Sequence, residues 1–117
     1  MTSAQPPEVP HLAPTDAKQR VDAGAMLLDV RNPDEWEAGH PEGATWIPMN
    51  QLVDRQGELP TDRDIVVICK SGARSGRVAE ALANAGYEAA NVAGGAEAWQ
   101  VAGFAIVTSD GQPGTVA

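Results

Sequence analysis

The chain has 117 residues, 43% of them hydrophobic and 21% charged, a balance that fits one globular domain and excludes disordered, collagen-like and membrane-spanning chains. Its formal net charge of -8, from 16 acidic and 8 basic residues, works against nucleic acid and anionic lipid as partners, because both bind through cations that release counterions. The single Cys excludes an intrachain disulfide. No apolar run approaches the ~18 residues of a membrane span and the N-terminus carries no basic-then-apolar leader, so the expected location is the cytoplasm, with no membrane partner.

In chain order, residues 1–8 are proline-bearing and short of large apolar groups, and residues 108–117 are small, polar and Gly/Pro-bearing. Both are expected to be flexible tails around one domain at 9–107. Residues 9–12 form a weak strand candidate. Thr15 is placed to cap a helix that runs to about Ala23 and stops at Gly24. Met26-Leu27-Leu28-Asp29-Val30 is too short for a helix and reads as a buried strand. Asn32-Pro33-Asp34-Glu35 supplies a cap residue, Pro at the first helical position and Glu at the third, which opens a short helix through Trp36. Thr45-Trp46-Ile47 is a second weak strand. Ile65-Val66-Val67-Ile68-Cys69 is β-branched and apolar throughout, the pattern of a strand buried on both faces. Val78, Ala81, Leu82 and Ala85 then recur at helical spacing from about Ser75, and Gly86 ends the run. Ala89-Ala90-Asn91-Val92 is a further strand, and Gly94-Gly95 precedes a helix carrying Trp99. Strands alternating with helices imply an α/β domain whose parallel sheet is covered on both faces.

The candidate site is the junction Cys69-Lys70-Ser71-Gly72-Ala73-Arg74-Ser75. Ligands of open α/β sheets bind at the carboxyl ends of strands, where a helix N-terminus adds unpaired N–H groups and a positive dipole end. Residues 65–79 contain no Asp or Glu, whereas Lys70, Arg74 and Arg77 supply +3. Those cations and the dipole favour a thiolate on Cys69. The competing reading is that Cys69 is the last apolar residue of a core strand. Gly72, which permits tight curvature, together with the hydroxyls of Ser71 and Ser75, tips the balance toward a built loop.

These residues resemble the rhodanese family, whose cysteine loop of the form C-[RK]-S-G-x-R-S follows a central strand. The resemblance extends to Leu28-Asp29-Val30-Arg31 with the Pro33-to-Trp36 helix, Gly39-His40 through Gly43-Ala44 into Ile47-Pro48, Gly86-Tyr87, and Val92-Ala93-Gly94-Gly95 up to Trp99. It implies a rhodanese-like fold with a five-stranded parallel sheet. It also implies a persulfide on Cys69 and transfer of sulfane sulfur from a donor such as thiosulfate to a thiol or cyanide. No cofactor is implied beyond that covalent intermediate. Lys70, Ser71, Gly72, Ala73, Arg74 and Ser75 become the loop that binds substrate and persulfide, their N–H groups stabilising the anion as an oxyanion hole does. Lys70 and Arg74 would attract an anionic donor, Arg74 with its fork on loop carbonyls or on the donor. The partners implied are a small-molecule sulfur donor and a thiol acceptor, such as a thioredoxin-like or sulfur-carrier protein. Related phosphatase and arsenate-reductase loops are one residue longer. Only four residues separate Cys69 from Arg74, and the tighter cradle suits a terminal sulfur better than a phosphate.

The chain departs from the family pattern at Pro41-Glu42, where an aliphatic residue usually follows the Gly-His pair. His40 reads as a structural anchor more than a general base. Asp29 and Arg31 read as a buried ion pair or loop anchor more than as substrate ligands. Trp36, Trp46 and Trp99 read as core. Two His and one Cys lie too far apart in sequence to suggest a metal site. Beside the enzyme, the alternative function is a persulfide carrier or redox-sensing module that serves a protein partner. A silent interaction domain is disfavoured by the intact Cys69 loop.

Overall fold

The computed structural model describes residues 8–117; the expected N-terminal tail at 1–8 lies almost wholly outside them. In chain order the elements are β1 (His11–Leu12), α1 (Pro14–Asp22), β2 (Met26–Asp29), α2 (Pro33–Ala38), β3 (His40–Pro41) and β4 (Thr45–Trp46). After two single-turn 3₁₀ helices, Met49–Gln51 and Gln56–Glu58, come β5 (Ile65–Ile68), α3 (Ala73–Asn84), β6 (Ala89–Val92), α4 (Gly95–Val101) and β7 (Ile106–Val107). Five strands form a parallel sheet in the order β1-β6-β5-β2-β4. The most apolar strand, β5, is at its centre, as expected for a run buried on both faces.

Period-two alternation divides the core. Ile65, Val67 and Cys69 face the same side as Leu28, Val30 and Ile47, under Val78, Ala79 and Leu82 of α3. Val66, Ile68, Leu27 and Val92 face the other side, under Ala17 of α1 and Ala96 and Trp99 of α4. The register Val67↔Asn91 places Asn91 on the α3 face beside the end of β5.

Four sequence expectations change. The cap of α1 is Ala13, not Thr15, because Pro14 takes the first helical position, where its fixed φ and missing N–H cost nothing. A two-stranded antiparallel ribbon, His40↔Val107 and Pro41↔Ile106, was not foreseen; it is where Pro41-Glu42 sits, and Glu42 N–H donates to Ala105 O at 3.1 Å. Within the expected tail at 108–117, residues 114–116 are tied to the body although most of the segment is exposed. Gly114 N–H donates to Ile106 O at 2.9 Å and Thr115 N–H to Ala38 O at 3.0 Å, while Val116 packs on the Trp99 side of the core. Only Trp99 among the tryptophans is core, at 1% exposure. Trp36 and Trp46 are half-buried and stacked, with centroids 5.4 Å apart, and Trp46 Nε1–H donates to Arg31 O at 2.9 Å, a partner for its polar edge.

Candidate functional site

Cys69 ends β5 on the α3 face and is 1% exposed, so it is a buried strand-end residue and also the first residue of the loop. Gly72 N–H donates to its Sγ at 3.1 Å, and Ser75 Oγ lies 3.2 Å from the same sulfur. Gly72 adopts φ +103° as it turns the chain into α3, a conformation L side chains rarely take, and a Cβ there would lie 3.2 Å from Gly94 N.

The loop is held from behind by α4. Ala96 N–H donates to Cys69 O at 2.7 Å and Glu97 N–H to Lys70 O at 3.1 Å. A trans peptide points its C=O and N–H in opposite directions, so anchoring Lys70 O on α4 turns the Ser71 N–H the other way, toward the sulfur. The approach is close enough that a Cβ on Gly95 would fall 2.5 Å from both Cys69 O and Lys70 O. Burial pushes the Cys69 thiol up, but the Ser75 hydroxyl and the backbone N–H groups of Ser75, Gly72 and Ser71 outweigh it and hold the thiol below its ordinary value. The direction matches the sequence reading. The cause is hydrogen bonding from the loop N–H groups, which the sequence reading named, and from the Ser75 hydroxyl; the cations it also named are not among the main causes.

Of the predicted cations, Arg74 does not reach toward loop carbonyls. Its Nη1 and Nη2 donate to Glu35 Oε1 and Oε2 at 2.7 and 2.9 Å, and Oε1 also accepts from Asn32 N–H at 3.0 Å. Glu35 thus opens α2 and ties it to the first turn of α3. The Arg74 guanidinium, helped by Asn32 N–H and opposed by burial, holds the Glu35 carboxyl down to about 2. Lys70 is half-buried, and Ser71, Ala73 and Arg77 are exposed.

Asp29 and Arg31 are both 0% exposed and form a two-pronged pair, with Nε–Oδ1 at 3.0 Å and Nη2–Oδ2 at 2.8 Å. Arg31 Nη2 also donates to Gly39 O at 2.9 Å, which fits the anchor reading. His40 stacks on Trp36 at 3.5 Å, and its Nδ1 lies 3.0 Å from Trp36 O, again the geometry of an anchor. Among the described residues no three His, Cys, Asp or Glu side chains gather to hold a metal, and no helix is long and apolar enough to cross a membrane.

Asn91, Glu35 and Gly95 were missed as parts of the site. Only Asn91 left a signal, as the one polar residue of a buried strand. It is 3% exposed, and its Nδ2 donates to Gly72 O at 3.2 Å. An apolar groove of about 310 Å³ runs along α3, lined by Arg77, Val78, Ala81 and Ala85 with Leu52, and by no residue of the loop itself. Met49 and Val53 line it and are 45% and 86% exposed.

A parallel α/β domain that seats a hydrogen-bonded cysteine at the carboxyl end of its central strand, in a four-residue loop before a helix, defines the class of protein. The Rhodanese-like domain model matches residues 13–102, and the chain belongs to that family. A sulfurtransferase of Allochromatium vinosum is 39% identical over 87 residues, covering 74% of this chain and 81% of that protein. The protein YqhL of Bacillus subtilis is 43% identical over 76 residues, which cover 64% of this chain and 60% of its own length. This chain therefore matches less than two thirds of that relative. The crystal structure of a rhodanese-related protein from Thermoplasma volcanium superposes with a TM-score of 0.78 at 30% identity, covering 84% of this chain and 97% of the other.

Proposed function

We propose that the protein is a sulfurtransferase that moves sulfane sulfur from a donor such as thiosulfate to a thiol or cyanide through a persulfide on Cys69. The observation that carries this reading is the sulfur itself, facing Gly72 N–H at 3.1 Å and Ser75 Oγ at 3.2 Å with its thiol held below the ordinary value. Membership of the family and the name of the Allochromatium relative support sulfur transfer as the general class.

In the first step the Cys69 thiolate attacks the outer sulfur of thiosulfate. A Cys69 S–S bond forms, the S–S bond of the donor breaks, and sulfite leaves with the bonding pair, so the total charge is unchanged. The new terminal sulfur is anionic, and the loop N–H groups are the donors available to it. In the second step an acceptor thiolate or cyanide attacks that terminal sulfur, and Cys69 leaves as the thiolate. As written, the cycle uses no cofactor. Lys70 attracts the anionic donor, and Arg74 acts by holding the loop to α2.

Incubating the protein with thiosulfate tests the first step, with one sulfur atom of added mass expected on Cys69 and its loss expected on reduction. Cys69→Ser, which keeps nearly the same volume, is expected to fold and to transfer no sulfur. Activity of that variant above a few per cent of wild type would overturn the assignment.

A second reading is a persulfide carrier that serves a protein partner such as a thioredoxin-like or sulfur-carrier protein; it draws on the apolar groove along α3, where the large side chains of Met49 and Val53 are left exposed. Its mark is slow turnover of free thiosulfate beside fast exchange with a protein persulfide. Steady-state rates with the two donors separate the readings.

A further inference from the structure

Ser75 Oγ stands between two acceptors and carries one proton. It lies 3.2 Å from Cys69 Sγ and 2.5 Å from Asn91 Oδ1. The orientation of the Asn91 amide is set by its other contacts. Gly72 O, 3.2 Å away, only accepts, so the nearby amide atom must be Nδ2. The second Nδ2 hydrogen goes to His11 Nδ1 at 3.0 Å. With both donors committed, Oδ1 is left facing the hydroxyl. Ser75 and Asn91 are 0% and 3% exposed, and at that burial an unmet acceptor is costly.

We propose that Asn91 is a positioning residue that decides where the Ser75 proton goes: to Asn91 Oδ1 while Cys69 is a neutral thiol, and to the sulfur once the sulfur is charged. In the neutral state the hydroxyl proton sits on the 2.5 Å contact, and Cys69 S–H donates to the free lone pair of Ser75 Oγ. When the sulfur becomes a thiolate or a terminal persulfide anion it has no proton to give. The Ser75 hydroxyl then rotates to donate to it and leaves Asn91 Oδ1. Asn91 thus competes with the sulfur for the Ser75 donor, and it limits how far Ser75 favours the charged form.

The other charged or titratable groups around the site are Lys70 and Arg74 in the loop, Glu35 on Arg74, the Asp29–Arg31 pair at the end of β2, and the imidazole of His11 beyond Asn91. An Asn91→Leu substitution changes none of these charges. The inference rests on Cys69 as the reacting group, but its test reads the thiol directly, so loss of sulfur transfer and loss of this switch are separate results.

The test follows alkylation of Cys69 against pH in four folded proteins: wild type, Asn91→Leu, Ser75→Ala and the double variant. Asn91→Leu frees the Ser75 proton for the sulfur, so its midpoint is expected to fall by about half a pH unit or more, a roughly threefold gain in acidity. Ser75→Ala is expected to raise the midpoint, and adding Asn91→Leu to it should bring no further fall. A residue that merely braces the loop gives the opposite pattern, since loosening the N–H groups raises the midpoint. A rise in Asn91→Leu, or an equal shift with and without Ser75, overturns the proposal. A second measurement needs no variant at position 91. With one cysteine in the chain the infrared S–H stretch is assignable, and below the thiol midpoint it should lie at the position of a donating S–H in wild type and move to the free position in Ser75→Ala. A free S–H band in wild type also overturns it.

Discussion

Arg74 and Glu35, 39 positions apart in sequence, are joined by two parallel hydrogen bonds of 2.7 and 2.9 Å that lash the first turn of the loop helix to α2. Both side chains are largely covered, at 31% and 13% exposure, and the carboxylate takes a third donor from Asn32 N–H. Such a pair is stronger than the usual exposed ion pair, because its geometry is two-pronged and it is partly shielded from water.

Glu35→Gln is therefore expected to destabilise the fold by about 1–2 kcal/mol in chemical denaturation at neutral pH. Its pH dependence follows from linkage. The folded carboxyl titrates near 2, against an ordinary value of 4.5, so its contribution is present in full above about 4.5 and is lost as pH falls toward 2. The difference in stability between wild type and Glu35→Gln should be constant from pH 8 to 5 and shrink below that. A difference that persists unchanged at pH 2 would mean that the charge of Glu35 is not its source.

How much of this was legible in the sequence depended on distance along the chain. Cys69 to Ser75 is a contiguous run, and its chemistry was readable as such. The second role of Glu35 was not, because its partner is 39 residues away and the capping-box pattern already accounted for the carboxylate. Asn91 lies 16 residues from Ser75, and only strand register and period two bring it to the same face. The three principal strands, β2, β5 and β6, were read from their apolar runs, whereas the β3–β7 ribbon has two residues a side, too few to show any period. The cations were visible as charges, but a charge count cannot say that Arg74 is already engaged.

That engagement alters what the two loop cations do. Lys70→Ala is expected to raise KM for thiosulfate roughly two- to fivefold with little change in kcat, the scale of one solvent-screened charge, and the effect should fade at high salt. Arg74→Ala is expected to lower kcat and stability together, and to match Glu35→Gln in doing so, because both cut the same tether. Steady-state kinetics at two ionic strengths separate the two patterns. A salt-sensitive KM effect for Arg74→Ala would place its guanidinium on the donor after all.

The Asp29–Arg31 pair predicts a larger effect on stability. Both side chains are fully buried, and removing one partner leaves the other uncompensated in a low dielectric. Arg31→Met is expected to cost about 3–5 kcal/mol, enough to leave a marginal domain partly unfolded. A replacement of Asp29 and Arg31 together by apolar residues should recover part of that loss, and denaturant unfolding of the three proteins checks it. If Arg31→Met alone is nearly neutral, water reaches the pair and the anchor reading fails.

Gly95→Ala isolates the clamp behind the loop without touching any group that contacts the sulfur. Ala96 and Glu97 donate to Cys69 O and Lys70 O, and Gly95 lets α4 come that close, at a φ of +61°. In Gly95→Ala the new methyl would overlap both carbonyls, so the peptide planes that aim the loop N–H groups inward must rotate. Cys69, Gly72 and Ser75 are all still present, yet the donors that hold the thiol down are misdirected while the burial that pushes it up remains. The alkylation midpoint of wild type is expected below the ~8.5 of a free cysteine, with that of Gly95→Ala shifted upward toward or past that value. Thiosulfate should label the variant more slowly in proportion to its lost thiolate at neutral pH. A wild-type midpoint above the free value would return Cys69 to an ordinary core cysteine, and an unchanged midpoint in a folded Gly95→Ala protein would mean that α4 does not orient the loop.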